Sequence, residues 1–269
     1  YAKPENRTRA LTLVRLAVNL GFAAGPALGG LIIMNIGYHG LFWVDGASCI
    51  VAISIFWLLV KEKKKVADKN AFVDNLPVKS VYKDRPFWVF LIVSFITAMI
   101  FFQLFTTLPL YHQEQYGLTE FQTGLLMTLN GFLIFLLEMP IVNYFDRKKV
   151  NKVKIVLFGS LCMALSFYVL LLNVWAGVLL INILFLTFGE MFAFPFSNSF
   201  ALSRAPRGQE GRYMAFYTMS FSLAHIMSSK TGMEVISHFG YQVNWVVMGT
   251  LGLVAVGCSV WVMKMVREE

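Results

Sequence analysis

The sequence predicts an all-α, polytopic membrane protein, and three observations predict it. Of 269 residues, 57% are hydrophobic and only 14% charged, where an ordinary soluble domain carries about 25% charged residues. The apolar residues fall in continuous runs of about 20, the length a helix needs to cross the hydrocarbon core with every backbone group bonded inside the span. Lys and Arg, finally, are confined to every second connection between those runs. Runs without two-residue alternation argue against a β-barrel. The net charge of +8 would suggest nucleic acid in a soluble chain, but its placement between spans makes it topogenic instead.

Eight spans are expected, at about 11–34, 41–60, 86–110, 121–144, 153–172, 175–198, 212–237 and 243–264. Tyr1 to Ala10 is polar and leads into a full-length span, unlike a cleavable signal peptide. Between the second and third spans lies the one long polar segment, 61–85, which opens with the charge run Lys61, Glu62, Lys63, Lys64 and Lys65 and reads as a solvated linker. In chain order the connections hold four, none, eight, none, five, none, three, none and two basic residues, and only Lys230 lies elsewhere. By the positive-inside rule both ends of the chain and the linker are cytoplasmic, which requires an even number of spans. Cys49, Cys162 and Cys258 sit inside apolar runs without metal-ligand spacing and read as reduced packing residues.

A shift of 203 positions lays the first span on the seventh: Arg9 falls on Arg212, Gly29 on Gly232, and Gly37-Tyr38 on Gly240-Tyr241. The matching spans are six apart and equally oriented, so the repeating unit has six helices, as in transporters built from two parallel halves. The expected organisation is then residues 1–60 as the last two helices of a first bundle, 61–85 as cytoplasmic linker, and 86–269 as a complete second bundle. On this reading the chain is N-terminally incomplete, with four spans of the first bundle upstream of it.

In the first span, Gly21-Phe-Ala-Ala-Gly25-Pro26-Ala-Leu-Gly29-Gly30 places small residues every fourth position on one face, beside a proline that removes a backbone hydrogen bond. A tight helix contact and a moving hinge both fit. This G-x-x-x-G-P-x-x-G-G pattern resembles the fifth-helix motif of antiporters of the major facilitator superfamily. Asn143-Tyr-Phe-Asp146-Arg147-Lys148-Lys149 resembles the second-half copy of that superfamily's cytoplasmic loop motif, with Asn143 in place of the leading Gly. Thr107-Leu-Pro-Leu-Tyr111 and Leu129-Asn130-Gly131 resemble the superfamily's bacterial drug/proton antiporters. The resemblance covers the whole chain as helices five to twelve of a twelve-helix protein, and it implies a major facilitator type bundle in a bacterial cytoplasmic membrane.

Ionisable residues inside apolar spans are functional candidates, because a mid-membrane charge costs several kcal/mol unless paired, protonated or hydrated. Glu190, mid-way along the sixth span, is the first candidate for a proton-titrating or cation-attracting group, with a protonated carboxyl hydrogen-bonded between helices as the alternative; the resemblance places it on a cavity-lining helix. Glu138 stands next to Pro140, where it can act in the pathway or reach toward the headgroups. His225 belongs to a residue type that exchanges protons near neutral pH, or serves as a hydrogen-bonded core histidine. Gln103, Thr106, Thr107, Asn130, Ser197 and Asn198 are polar candidates for a substrate pathway or for interhelical hydrogen bonds.

Gly25, Pro26, Gly29, Asp146 and Arg147 are candidates for conformational gating, with ordinary solvated flanking charges as the alternative for Asp146 and Arg147. Lys230 and Glu234, one turn apart, can form a local pair or an outer gate. Asp45 is expected to stay near water. The many phenylalanines supply packing, and some of them can line an aromatic pocket.

The sequence offers no metal-ligand cluster, no phosphate-cradling glycine loop and no nucleophile paired with a base, so neither cofactor, metal, ATP nor enzymatic chemistry is expected. The expected function is secondary active transport of a small organic solute by alternating access, with protons and the lipid bilayer as the other partners, no nucleic acid, and a monomer as the working unit at full length. Proton-coupled export of amphipathic or drug-like compounds is favoured. A proton-coupled peptide or sugar symporter uses the same parts, and a membrane sensor or assembly partner that does not transport is the rival from another class.

Overall fold

The computed structural model describes residues 7–59, 81–172, 175–206 and 208–268, and within the first helix the side chains of 7–16 and 19 are left aside. Most of the expected linker, including its Lys61 to Lys65 run, lies outside the described residues. The described chain is helical throughout: α1 (Arg7–Ile36), α2 (Tyr38–Leu59), α3 (Arg85–Phe101), α4 (Thr107–Tyr116), α5 (Glu120–Arg147), α6 (Lys152–Leu170), α7 (Gly177–Arg204) and α8 (Glu210–Glu268). Six of the described helices are long and apolar enough to cross a membrane, and the apolar part of α1 is Leu20–Ile36. The protein is therefore a multi-pass, all-α membrane protein.

Two helices differ from the expected spans, each for a local reason. The third span is broken: α3 ends, a 3-10 turn covers Phe102–Phe105, and Thr106 leaves helical geometry at φ −123 and ψ −73 before α4 begins. Pro109 accounts for the break, since it lacks an N–H and its ring would meet the carbonyl four residues earlier, at Phe105. The Thr106 hydroxyl turns back to the Phe102 carbonyl at 3.4 Å, and the Gln103 carbonyl accepts from the Thr106 N–H at 3.3 Å.

The 59-residue α8 contains the other exception, non-helical Gly240 at φ 82 and ψ 173, which divides it into the seventh and eighth expected spans. Gly37, its equivalent under the 203-residue shift, has φ 80 and separates α1 from α2. Positive φ at both junctions explains why glycine stands there. It also gives the repeat a backbone counterpart.

The described chain divides into two compact units, with the division inside α5: α1, α2 and Leu118–Phe135 form one, and the other helices with α5 from Leu136 onward form the second. In the second unit α3, α6 and α7 pack around α8. Trp245, Phe87, Phe90, Phe167, Phe196 and Met163 are fully buried there, and Thr97 on α3 meets Ser160 on α6 at 3.0 Å. In the first unit α2 keeps large apolar side chains exposed, among them Trp43 and Trp57, each at 80%. Such a face belongs against hydrocarbon or other helices.

Candidate functional site

In the first unit the face of α1 that carries Ala23, Pro26 and Gly30 lies against α5 with the two backbones in contact, opposite the face of Gly21, Gly25 and Gly29. A methyl group at Gly124 would lie 2.5 Å from the Pro26 carbonyl oxygen, one at Gly131 would lie 2.6 Å from the Ala23 Cα, and one at Gly30 would lie 2.8 Å from the Phe121 Cα. The contacts progress antiparallel along both helices through their halves nearer the uncharged side. Among the predicted residues Pro26 is in this seam. A methyl group at Gly25 would meet nothing within 4 Å among the described residues, and one at Gly29 would meet only Leu41, at 3.7 Å. The glycines of closest approach are Gly30 on α1 and Gly124 and Gly131 on α5. Asn130, beside Gly131, is 7% exposed.

The seam ends at a hydrogen bond from the Tyr38 hydroxyl to Glu120 Oε1 at 3.2 Å. In the second unit Tyr241, which follows the equivalent glycine, donates to Glu114 Oε2 at 2.7 Å. The two repeat-related tyrosines thus hold carboxylates on either side of the Gly117 turn, which has φ 62. Nearby His112 is fully buried and neither ring nitrogen has a hydrogen-bond partner among the described residues. It lies beyond the Arg85–Phe105 span. Burial disfavours its charged form and lowers its pKa from 6.5 to about 4.

The broken third span carries a buried polar cluster. Gln103 Nε2 donates to Ser228 Oγ and to the Ser228 carbonyl at 2.8 and 2.9 Å. Gln103 Oε1 accepts from Thr107 Oγ1 at 2.6 Å and from Asn244 Nδ2 at 3.4 Å. Ser228 Oγ donates to the Met99 carbonyl at 2.7 Å. All four side chains are at 0% exposure, so Gln103 and Thr107 connect the 3-10 turn and α4 to both segments of α8 rather than lining open space.

A different face of the same unit is ring-lined and accessible. His225, exposed on α8, stacks on Phe102 at 4.3 Å between centroids and 28° between planes. Phe102 contacts Phe221 at 5.2 Å, Phe221 contacts Phe194 on α7 at 5.1 Å, and Phe194 contacts Phe101 at 4.8 Å. Glu190 is half-buried and precedes Phe194 by four residues, while His225 follows Phe221 by four. Residues four apart share a helix face. Because α7 runs toward the basic side and α8 away from it, Glu190 and His225 both lie about one turn from the Phe194–Phe221 contact, toward the uncharged side.

The other predicted residues are dispersed. Glu138 is 5% exposed rather than extended toward the surface. Half-buried Thr106 is at the helix break, Ser197 is buried, and Asn198 is exposed near the basic end of α7. Asp45 is exposed, as are Asp146 and Arg147 in the last turn of α5. Arg147 lines a pocket of about 390 Å³ with Pro140, Asn143, Tyr144 and Lys148. Lys230 and Glu234 are both exposed, and no ion pair between them is formed. Lys preceding Glu is the weaker orientation of a pair at this spacing. Cys49, Cys162 and Cys258 are free.

On the basic side, the structure adds a cluster around Asp84, a residue that sequence reasoning assigned to a solvated linker. Asp84 is 5% exposed. Its carboxylate accepts from Arg204 Nη2 at 2.6 Å and Nε at 3.2 Å, from the Tyr213 hydroxyl at 3.0 Å, and from the Phe87 N–H at 3.2 Å. One carboxylate therefore joins the start of α3, the end of α7 and the start of α8. Asp followed by Arg85-Pro86 before an apolar run is a helix-start signal that could have identified it.

Residues 1–229 match the family described as the Major Facilitator Superfamily. The chain is 22% identical over 269 residues to an uncharacterized MFS-type transporter, YttB, of Bacillus subtilis (strain 168), with 98% of this chain and 66% of that protein covered. It is 21% identical over 270 residues to a Na(+), Li(+), K(+)/H(+) antiporter of Planococcus maritimus, with 91% and 63% covered. In fold it is similar to a bacterial homologue of the iron transporter ferroportin in an inward-facing state, at a TM-score of 0.70, 17% identity, and coverage of 97% of this chain and 64% of that one. The chain thus spans just under two thirds of the length of these relatives. With 229 residues matched, this chain belongs to the Major Facilitator Superfamily.

Proposed function

We propose that this chain is part of a secondary active transporter that moves a small organic solute by alternating access, with proton entry coupled to export of amphipathic or drug-like compounds. The ring-lined face of α3, α7 and α8 carries the reading: exposed His225 stacked on Phe102, with half-buried Glu190 at the same level on α7. Aromatic faces accept apolar and cationic solutes. Glu190 and His225 supply groups that exchange protons, so solute and proton compete for one surface. Asp84, Arg204 and Tyr213 hold the basic ends of that bundle together.

The α1–α5 seam supports alternating access. Backbone contact along one half of each helix closes one side, and parting that seam opens it. The basic side is assigned to the cytoplasm of a bacterial cell, so the seam closes the outer side. Residues 1–60 then belong to a first six-helix bundle, 61–85 to the linker and 86–269 to the second bundle of a monomeric transporter.

Vesicles holding the native-length protein test the reading. Addition of lipophilic cations from a broad panel is expected to drive proton movement opposite to solute movement. Solute and protons moving together would instead favour peptide or sugar symport, and absence of coupled flux with every compound would favour a sensor. A second reading, exchange of a monovalent inorganic cation for a proton, is favoured by the activity named for the Planococcus maritimus relative. Proton movement upon pulses of sodium, lithium or potassium chloride alone would select it.

A further inference from the structure

At the basic end of the second unit, the start of α6 and the end of α8 enclose a pocket of about 580 Å³. Lys154 comes from α6, Lys264 and Arg267 from α8, and Asn151 from the turn before α6. No carboxylate among the described residues lines it. All three cations are exposed, and none pairs with a carboxylate among the described residues. Neighbouring Lys152 is turned away, donating to the Ser199 carbonyl on α7 at 3.3 Å. Glu268, adjacent in sequence to Arg267, is exposed and outside the lining.

One turn further into the span, the lining becomes apolar at Val260 and Met263. Val260 is 38% exposed, so this wall opens onto the surface that meets hydrocarbon. Asn151 accepts from the Val153 N–H at 2.9 Å, capping α6, whose amino end adds positive potential to the pocket. Converging cations beside an apolar wall at a span's end match a ligand that is anionic at one end and a hydrocarbon chain at the other. A small soluble anion would leave the apolar wall unused.

We propose that this pocket is a binding site for an anionic phospholipid, with its headgroup phosphate held by Lys154, Lys264 and Arg267 and an acyl chain lying along Val260 and Met263. The site rests on the transporter reading only in the choice of the cytoplasmic leaflet. Its chemistry is independent of proton coupling.

The test is native mass spectrometry of the delipidated, native-length protein titrated with phosphatidylglycerol, phosphatidylcholine or inorganic phosphate. One phosphatidylglycerol is expected to remain bound where phosphatidylcholine does not. Each neutralised cation is expected to weaken retention about five-fold, so that Lys264→Gln with Arg267→Gln weakens it about twenty-five-fold. Lys148→Gln with Lys149→Gln, in the neighbouring basic turn, should retain the lipid, and unchanged melting temperatures show that both double variants fold. Equal retention by the Lys264/Arg267 double variant, equal retention of phosphatidylcholine, or displacement of the lipid by millimolar phosphate would each overturn the proposal. Coupled proton flux in phosphatidylcholine vesicles keeps the two readings separate, since its loss counts against transport and leaves lipid retention unaffected.

Discussion

Asp84 and His112 show how much a single side chain can fix in this fold. Asp84 is held by Arg204, Tyr213 and the Phe87 N–H, and Asp84→Ala leaves a largely buried guanidinium without its carboxylate. Destabilisation of about 3 kcal/mol is expected, read as a lower melting temperature in detergent. His112 is buried and neutral, with a pKa lowered to about 4 from 6.5. Between those values the unfolded chain binds the proton and the folded one does not, so stability falls as pH drops from about 6.5 toward 4. The loss reaches about 3 kcal/mol at the acid end. His112→Phe is expected to flatten that part of the melting-temperature profile, and an unchanged slope would show that other groups cause it.

At the scale of elements, the glycine-proline pattern and each Gly-Tyr pair were legible because each is a short run of neighbouring residues. Small residues every fourth position announced a close contact on the face of Gly21, Gly25 and Gly29, whereas α5 meets the opposite face, at Ala23, Pro26 and Gly30. Sequence alone could not say so, because contact between α1 and α5 depends on the assembled bundle. The break after Phe105 was legible in principle from Pro109, whereas its filling by Gln103, Ser228 and Asn244 depends on residues more than a hundred positions apart.

Two variants examine these elements. Gly124→Val places carbon against the Pro26 carbonyl, a backbone atom that cannot move aside. Transport is expected to fall at least ten-fold, with a cysteine placed at Ala27 becoming more accessible to a membrane-impermeant thiol reagent. Gly240→Ala puts a Cβ at φ 82 and ψ 173, a region nearly restricted to glycine. Its expected cost is about 1–3 kcal/mol, measured by thermal unfolding, and no loss would mean that the α8 junction relaxes.

For the whole molecule, alternation of basic and uncharged connections made the membrane architecture readable before any helix was placed. The division inside α5 was not readable, because it arises from which helices touch rather than from composition. Glu190 stood out as a carboxylate within an apolar run. Its alignment with His225 emerged only once Phe194, Phe221 and Phe102 were seen to connect α7, α8 and the end of α3. That alignment makes proton coupling through the ring-lined face the central claim.

The most direct measurement compares proton-gradient-driven solute flux with solute counterflow at zero gradient, in vesicles containing wild type or Glu190→Gln. The account predicts that Glu190→Gln loses at least nine-tenths of gradient-driven flux and retains counterflow. Gradient-driven flux equal to wild type would contradict it.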